Sequence, residues 1–72
     1  MIRLTRRVAA HEVYVGEKVY SPGVVEIEDG RVVNAYQLKG EQASTEWLGG
    51  IITVKADAHD NAKAYYNGKP IN

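Results

Sequence analysis

The sequence predicts an all-β chain: a small β-sandwich or partly open barrel of roughly six to eight short strands with two tight hairpins. Three observations lead there. No stretch sustains the apolar period of about 3.6 residues that marks a helix. Turn residues recur every handful of positions, and two β-rich ribbons each close on an Asx-Gly pair, Asp29-Gly30 and Asn67-Gly68.

The central ribbon, Gly23 to Leu38, organises the rest. A two-residue type I′ turn needs φ > 0 at both central positions, which Asp tolerates and Gly adopts freely. With Asp29-Gly30 as loop, Glu28 faces Arg31, Ile27 faces Val32, Glu26 faces Val33, Val25 faces Asn34 and Val24 faces Ala35. One face then carries Val25, Ile27, Val32, Tyr36 and Leu38. The other carries Glu26, Glu28 and Arg31, with Val24, Val33 and Ala35 towards its far end, where cover on both sides is expected.

Taken in order, Met1 to Val8 alternates Ile2 and Leu4 with Arg3, Thr5 and Arg7, the pattern of a half-buried strand. Ala9-Ala10-His11-Glu12 breaks it lightly, and Glu12 to Val15 resumes it. Gly16-Glu17-Lys18 turns into a brief Val19-Tyr20 strand. Ser21-Pro22-Gly23 is a second turn, with Pro pre-setting φ and Gly supplying freedom.

After the ribbon, Lys39 to Thr45 is polar and reads as an exposed loop or one helical turn at Glu41-Gln42-Ala43. Glu46-Trp47-Leu48 opens a new extended run, interrupted by Gly49-Gly50. Ile51-Ile52-Thr53-Val54 has the β-branched composition of a strand buried on both faces. Asp57 to Asn61 is turn chemistry. Ala62 to Tyr66 is a strand, and across the Asn67-Gly68 loop Tyr66 faces Lys69, Tyr65 faces Pro70 and Ala64 faces Ile71. A proline there confines the last strand to a sheet edge.

At 72 residues the chain is one domain. A chain of this size buries only about 60% of its unfolded surface, so its core is thin. Without cysteine there is no disulfide and no Cys-based zinc site. Nine basic and nine acidic residues balance to zero net charge, which argues against a dedicated nucleic-acid binder. No run approaches the ~18 apolar residues of a transmembrane helix. His11-Glu12 follows Arg6-Arg7-Val-Ala-Ala at once, leaving no apolar signal segment. A cytoplasmic protein is the expectation.

The two hairpins together resemble a known arrangement. Metal-dependent hydrolases of the amidohydrolase superfamily carry a small β-sandwich beside their catalytic barrel, built from both ends of the chain. Its first half resembles Val24-Val25-Glu26-Ile27-Glu28-Asp29-Gly30-Arg31-Val32-Val33. Its tail resembles Ile51-Ile52-Thr53-Val54, an acidic turn at Asp57 to Asp60, and Ala64-Tyr65-Tyr66-Asn67-Gly68-Lys69-Pro70-Ile71. The resemblance touches most of the chain from Val13 onward. The catalytic barrel would have to sit between about Gly40 and Gly50, and it is missing. The resemblance thus implies a satellite sandwich without its enzyme.

The chemical candidates point the same way. Asp57-Ala58-His59-Asp60 parallels the Asp-X-His-X-His that opens the hydrolase barrel, but Asn61 stands at the second histidine position. A catalytic zinc wants three protein ligands and an open position, so a polar turn is expected. His11 beside Glu12 reads as a surface histidine. Ser21 precedes Pro-Gly in a turn, and Ser44 lies in a loop with no histidine near in sequence. The glycines are spread as turn punctuation, which makes no phosphate loop. No catalytic, cofactor-binding or metal-binding residue is expected.

An interaction surface is expected instead from Arg3, Arg6 and Arg7 with Tyr36, Trp47 and Tyr65. The tyrosines read as strand residues with an apolar body and a wet hydroxyl. Three functions follow. One is a non-catalytic module serving as scaffold or in protein association, with a second copy or another protein as partner. Another is a small ligand- or single-strand-binding barrel that uses the arginines and tyrosines. The last is an accessory piece complementing a separately encoded barrel.

Overall fold

Asp29 and Gly30 turn with φ of 53° and 77°, and Asn67 and Gly68 with 53° and 80°. Both hairpin corners are therefore type I′, as their sequences require. The computed structural model describes residues 5–40, 45–56 and 61–71. Arg3, the helical turn expected at Glu41-Gln42-Ala43, and the turn at Asp57 to Asp60 with His59 lie outside the described residues.

The strands in chain order are β1 (Thr5–Ala10), β2 (Glu12–Val15), β3 (Lys18–Tyr20), β4 (Gly23–Glu28) and β5 (Arg31–Gln37). They continue with β6 (Thr45–Trp47), β7 (Ile51–Ala56), β8 (Ala62–Tyr66) and β9 (Lys69–Pro70). One sheet runs β5-β4-β1-β6 and the other β3-β2-β7-β8-β9. The pairings β1·β6 and β2·β7 are parallel, the rest antiparallel. The two mixed sheets make a sandwich that does not close into a barrel. Each sheet thus takes strands from both halves of the chain.

The chain changes sheets at His11, the exposed residue between β1 and β2. The light break in alternation there is a sheet-to-sheet corner, flanked by the fully buried Ala10 and Val13. The inner faces meet in a core of Val8, Ala10, Val13, Val25, Ile27, Ile52, Ala64 and Ile71, with Val15, Tyr20, Val32, Ala35 and Tyr66 packed against it. The described molecule is only 18 Å thick in its shortest dimension, as two sheets about 10 Å apart require.

Three expectations are corrected. The central ribbon starts in the expected register, Glu28 opposite Arg31 and Ile27 opposite Val32. It then shifts, so that Glu26 faces Asn34, Val25 faces Ala35 and Val24 faces Tyr36. Val33 is the extra residue, a β-bulge that reverses the faces beyond it. Ala35 consequently packs against the core and Tyr36 turns outward, the opposite of the unbulged register, while Val33 is left 54% exposed.

The block Ile51-Ile52-Thr53-Val54 is buried on one face only: Ile52 is inaccessible and Ile51 is 47% exposed. With only two layers, the outer side of β7 has nothing above it among the described residues. Gly23, finally, has no positive φ. It is small because β4 meets β2 and β3 there: a Cβ would lie 2.7 Å from Val13 Cγ2 and 2.8 Å from Tyr20 Cβ.

The tail hairpin keeps its expected register, Tyr66 opposite Lys69 and Tyr65 opposite Pro70. The Ile71 N–H donates to the Ala64 carbonyl at 2.8 Å, which carries the pairing one residue further. β9 is the edge strand that Pro70 demands.

Candidate interaction surfaces

Alternation distributes the side chains over three separate regions. On the outer face of the first sheet, Arg7 and Glu26 are direct cross-strand partners. Arg7 Nε donates to Glu26 Oε2 at 2.9 Å, and the Tyr36 hydroxyl donates to the same oxygen at 2.9 Å. Partial burial works to raise the Glu26 carboxyl. The hydrogen bonds from Arg7 and Tyr36 and the Arg7 charge outweigh it, leaving the group below its ordinary value.

Trp47 lies on this same face, opposite Ala9 in the register and 52% exposed. The His11 ring meets it edge-on at 89°, with centroids 4.9 Å apart, a favoured aromatic geometry. His11 is thus a packing partner of Trp47.

Arg6 points the other way, to the mouth between the sheets. It forms an ion pair with Glu46 on β6, and this hydrogen bond raises the guanidinium's pKa and lowers the Glu46 carboxyl's. Both side chains are well exposed, so the pair adds little to stability. Beside it, the Tyr66 hydroxyl donates to the Leu48 carbonyl at 3.0 Å.

Tyr65 occupies the outer face of the second sheet, away from all of these. Of the residues expected to form one surface, Arg7, Tyr36 and Trp47 share a face, Arg6 sits at the mouth, and Tyr65 lies across the sandwich.

Around Tyr65 the registers align a row that the sequence reading missed. Val19 pairs with Tyr14, Tyr14 with Thr53, Thr53 with Tyr65, and Tyr65 with Pro70. The row crosses all five strands. Ile51, Thr53, Lys55 and Tyr65 line a shallow groove of about 460 Å³ with Asn67 and Gly68 at its end. Lys55 Nζ sits 6.0 Å from the Tyr65 ring centroid. Alternation in β7 does place Thr53 and Lys55 together. Only the non-local parallel pairing of β2 with β7 brings Tyr14 beside them.

Ser21 is held in its turn by the Gln37 side chain, whose Nε2 donates to the Ser21 carbonyl at 2.9 Å. Among the described residues no three His, Asp or Glu side chains converge where they could hold a metal ion. No helix among them is long and apolar enough to cross a membrane.

No protein-family model matches the chain, and no curated protein matches it. Among solved structures there is a match. The chain is similar to N-acetyl-D-glucosamine-6-phosphate deacetylase from Mycobacterium smegmatis, a structure determined with N-acetyl-D-glucosamine-6-phosphate bound. Identity is 28%, and the TM-score is 0.55. The similarity covers 69% of this chain and 13% of the deacetylase, an enzyme of the amidohydrolase superfamily. The chain is therefore similar to a small domain-sized fragment of that enzyme.

Proposed function

We propose that this chain is a non-catalytic β-sandwich module of the kind that accompanies the barrel of metal-dependent hydrolases, acting as a scaffold through protein association. The observation that carries the reading is the similarity of 69% of the chain to 13% of a deacetylase. A fragment of that size supports a small accessory domain and leaves most of the enzyme unmatched. A core of mostly small side chains supplies the motive for association: Val8, Ala10, Val13, Val25 and Ala64 fill much of it, and a thin core gains from a partner.

The single-strand-binding reading has less support. Arg6 and Arg7 are each engaged with a glutamate, and they diverge from Tyr65. The accessory role with a separately encoded barrel remains a version of the same proposal, with the partner named.

Two measurements test it. The purified chain, supplied with zinc, manganese or magnesium, should hydrolyse neither N-acetylated sugar phosphates nor simple amides. Turnover abolished by His59→Ala would overturn the non-catalytic part. Sedimentation at micromolar concentration should show association with itself or with an added barrel that lacks a sandwich. A compact monomer with a high unfolding midpoint, indifferent to the barrel, would remove the association part.

A further inference from the structure

We propose that the outer face of the second sheet is a docking site for an extended acidic segment of a partner protein. The inference rests on the association reading and names its surface and its partner chemistry.

The sheet edges are poorly suited to the task. β3 and β6 offer three residues each, and β9 offers two, one of them Pro70. β5 is the long edge, but it is bulged, and the Asn34 side-chain oxygen accepts the Ala35 N–H at 3.0 Å. Short strands, prolines and bulges are what keep an edge from recruiting another strand. Association therefore falls to a face.

The face offered is specific in shape and charge. The row from Val19 through Tyr14, Thr53 and Tyr65 to Pro70 spans four strand spacings, about 19 Å. Val19 and Ile51 on this face are each 47% exposed. Tyr14 and Tyr65 stand two strands apart, about 10 Å, as rigid amphipathic platforms of the sort that dominate protein interfaces. Along one flank, Lys55 and Lys63 are direct cross-strand partners. Like charges directly opposite each other destabilise a sheet. Among the described residues neither lysine meets a carboxylate.

An anionic group lying between the two ammonium groups would relieve that repulsion, and an apolar side chain next to it would enter the groove between Ile51 and Tyr65. An acidic strand-like segment supplies both at a spacing of two residues. Nucleic acid fits less well. The face carries two lysines against the several phosphate contacts that give useful affinity. Its opposite flank holds the Glu12 carboxylate, which accepts the Tyr14 hydroxyl at 3.4 Å.

The test is a titration of the isotope-labelled protein, followed through its backbone amide resonances. The probes are a capped peptide repeating Glu-Ser-Val-Ser, which places glutamate and valine two residues apart on one face of an extended chain, its lysine counterpart, and oligothymidylate. The acidic peptide should shift Ile51, Thr53, Lys55, Tyr65 and Asn67, weaken on adding salt, and bind at least about tenfold more tightly than the lysine peptide. Lys63→Glu turns the opposed pair into opposite charges. That variant should melt no lower than the parent yet lose the acidic peptide.

The proposal is overturned if the acidic peptide leaves those amides unmoved at about 1 mM, if Lys63→Glu still binds it, or if oligothymidylate shifts them at lower concentration. If association persists in sedimentation while this titration fails, the module associates by another surface. If both fail, the association reading goes with it.

Discussion

Gly23 on β4 lies against Val13 on β2, with no room between them for a methyl group: the added carbon would sit 2.7 Å from Val13 Cγ2. This is the contact at which the first sheet rests on the second. Gly23→Ala should destabilise the fold by about 1–3 kcal/mol, the usual range for overpacking a filled core. Val13→Ala alone leaves a void and also costs. Val13→Ala removes only its Cγ atoms and leaves Val13 Cβ and Tyr20 Cβ each 2.8 Å from the added carbon, so in urea denaturation it should not rescue Gly23→Ala. A Gly23→Ala variant that unfolds at the parent's urea midpoint would mean the sheets do not meet at this point.

Gly30 offers the opposite case. Its φ is +77°, and an added Cβ would meet nothing within 4 Å. Space is free and only the backbone objects, so Gly30→Ala should cost about 1–2 kcal/mol, the left-handed penalty for an L-residue. A variant that melts like the parent would contradict the type I′ turn.

The Arg7–Glu26–Tyr36 cluster predicts an acid-sensitive term. Folding holds the Glu26 carboxyl below its usual value, whereas in the unfolded chain it titrates near about 4.3. The ionised form is thus favoured by the native state. The stabilisation is complete above the unfolded value and is lost as pH falls through the lower folded-state value. Denaturation midpoints followed from neutral to strongly acid pH should fall more steeply for the parent than for Glu26→Gln. Glu46, also held low by Arg6, keeps the variant's curve from becoming flat. Parallel curves would remove the cluster from the pH response.

Tyr66 packs its ring against the core and donates its hydroxyl to the Leu48 carbonyl at 3.0 Å. Tyr66→Phe keeps the ring and deletes the bond, and should cost on the order of 1 kcal/mol. Tyr65→Phe, on the open outer face, should be near neutral in the same thermal melt.

Local chemistry made the two hairpins legible. Asp29-Gly30 and Asn67-Gly68 are turn signals in themselves, and Pro70 marks its own strand as an edge. The resemblance to a hydrolase satellite rested on those same segments; of it, the comparison bears out similarity to a small fragment, 13%, of a deacetylase of that superfamily. What escaped has no local signature. Val33 looks like any β-branched strand residue, so nothing announced the bulge that exchanged the faces of Ala35 and Tyr36. Ile51 and Ile52 read alike, and only the two-layer architecture leaves one wet and the other dry. Gly23 looked like turn punctuation because its reason, Val13, sits ten residues away on the other sheet. The tyrosine row of the second sheet depends on Tyr14 lying parallel to Thr53, a pairing across most of the chain.

That long-range pairing sets an order of events during synthesis. As the chain leaves the ribosome, β1 through β5 emerge while the second sheet exists only as β2 with β3, and the central place of β7 is vacant. Ile52, Ala64 and Ile71 have yet to arrive, so Val8, Val13 and Val25 stay wetted, and folding waits for the final third of the chain. Truncated nascent chains halted before Ile51 should accordingly remain protease-sensitive throughout, turning resistant in one late step.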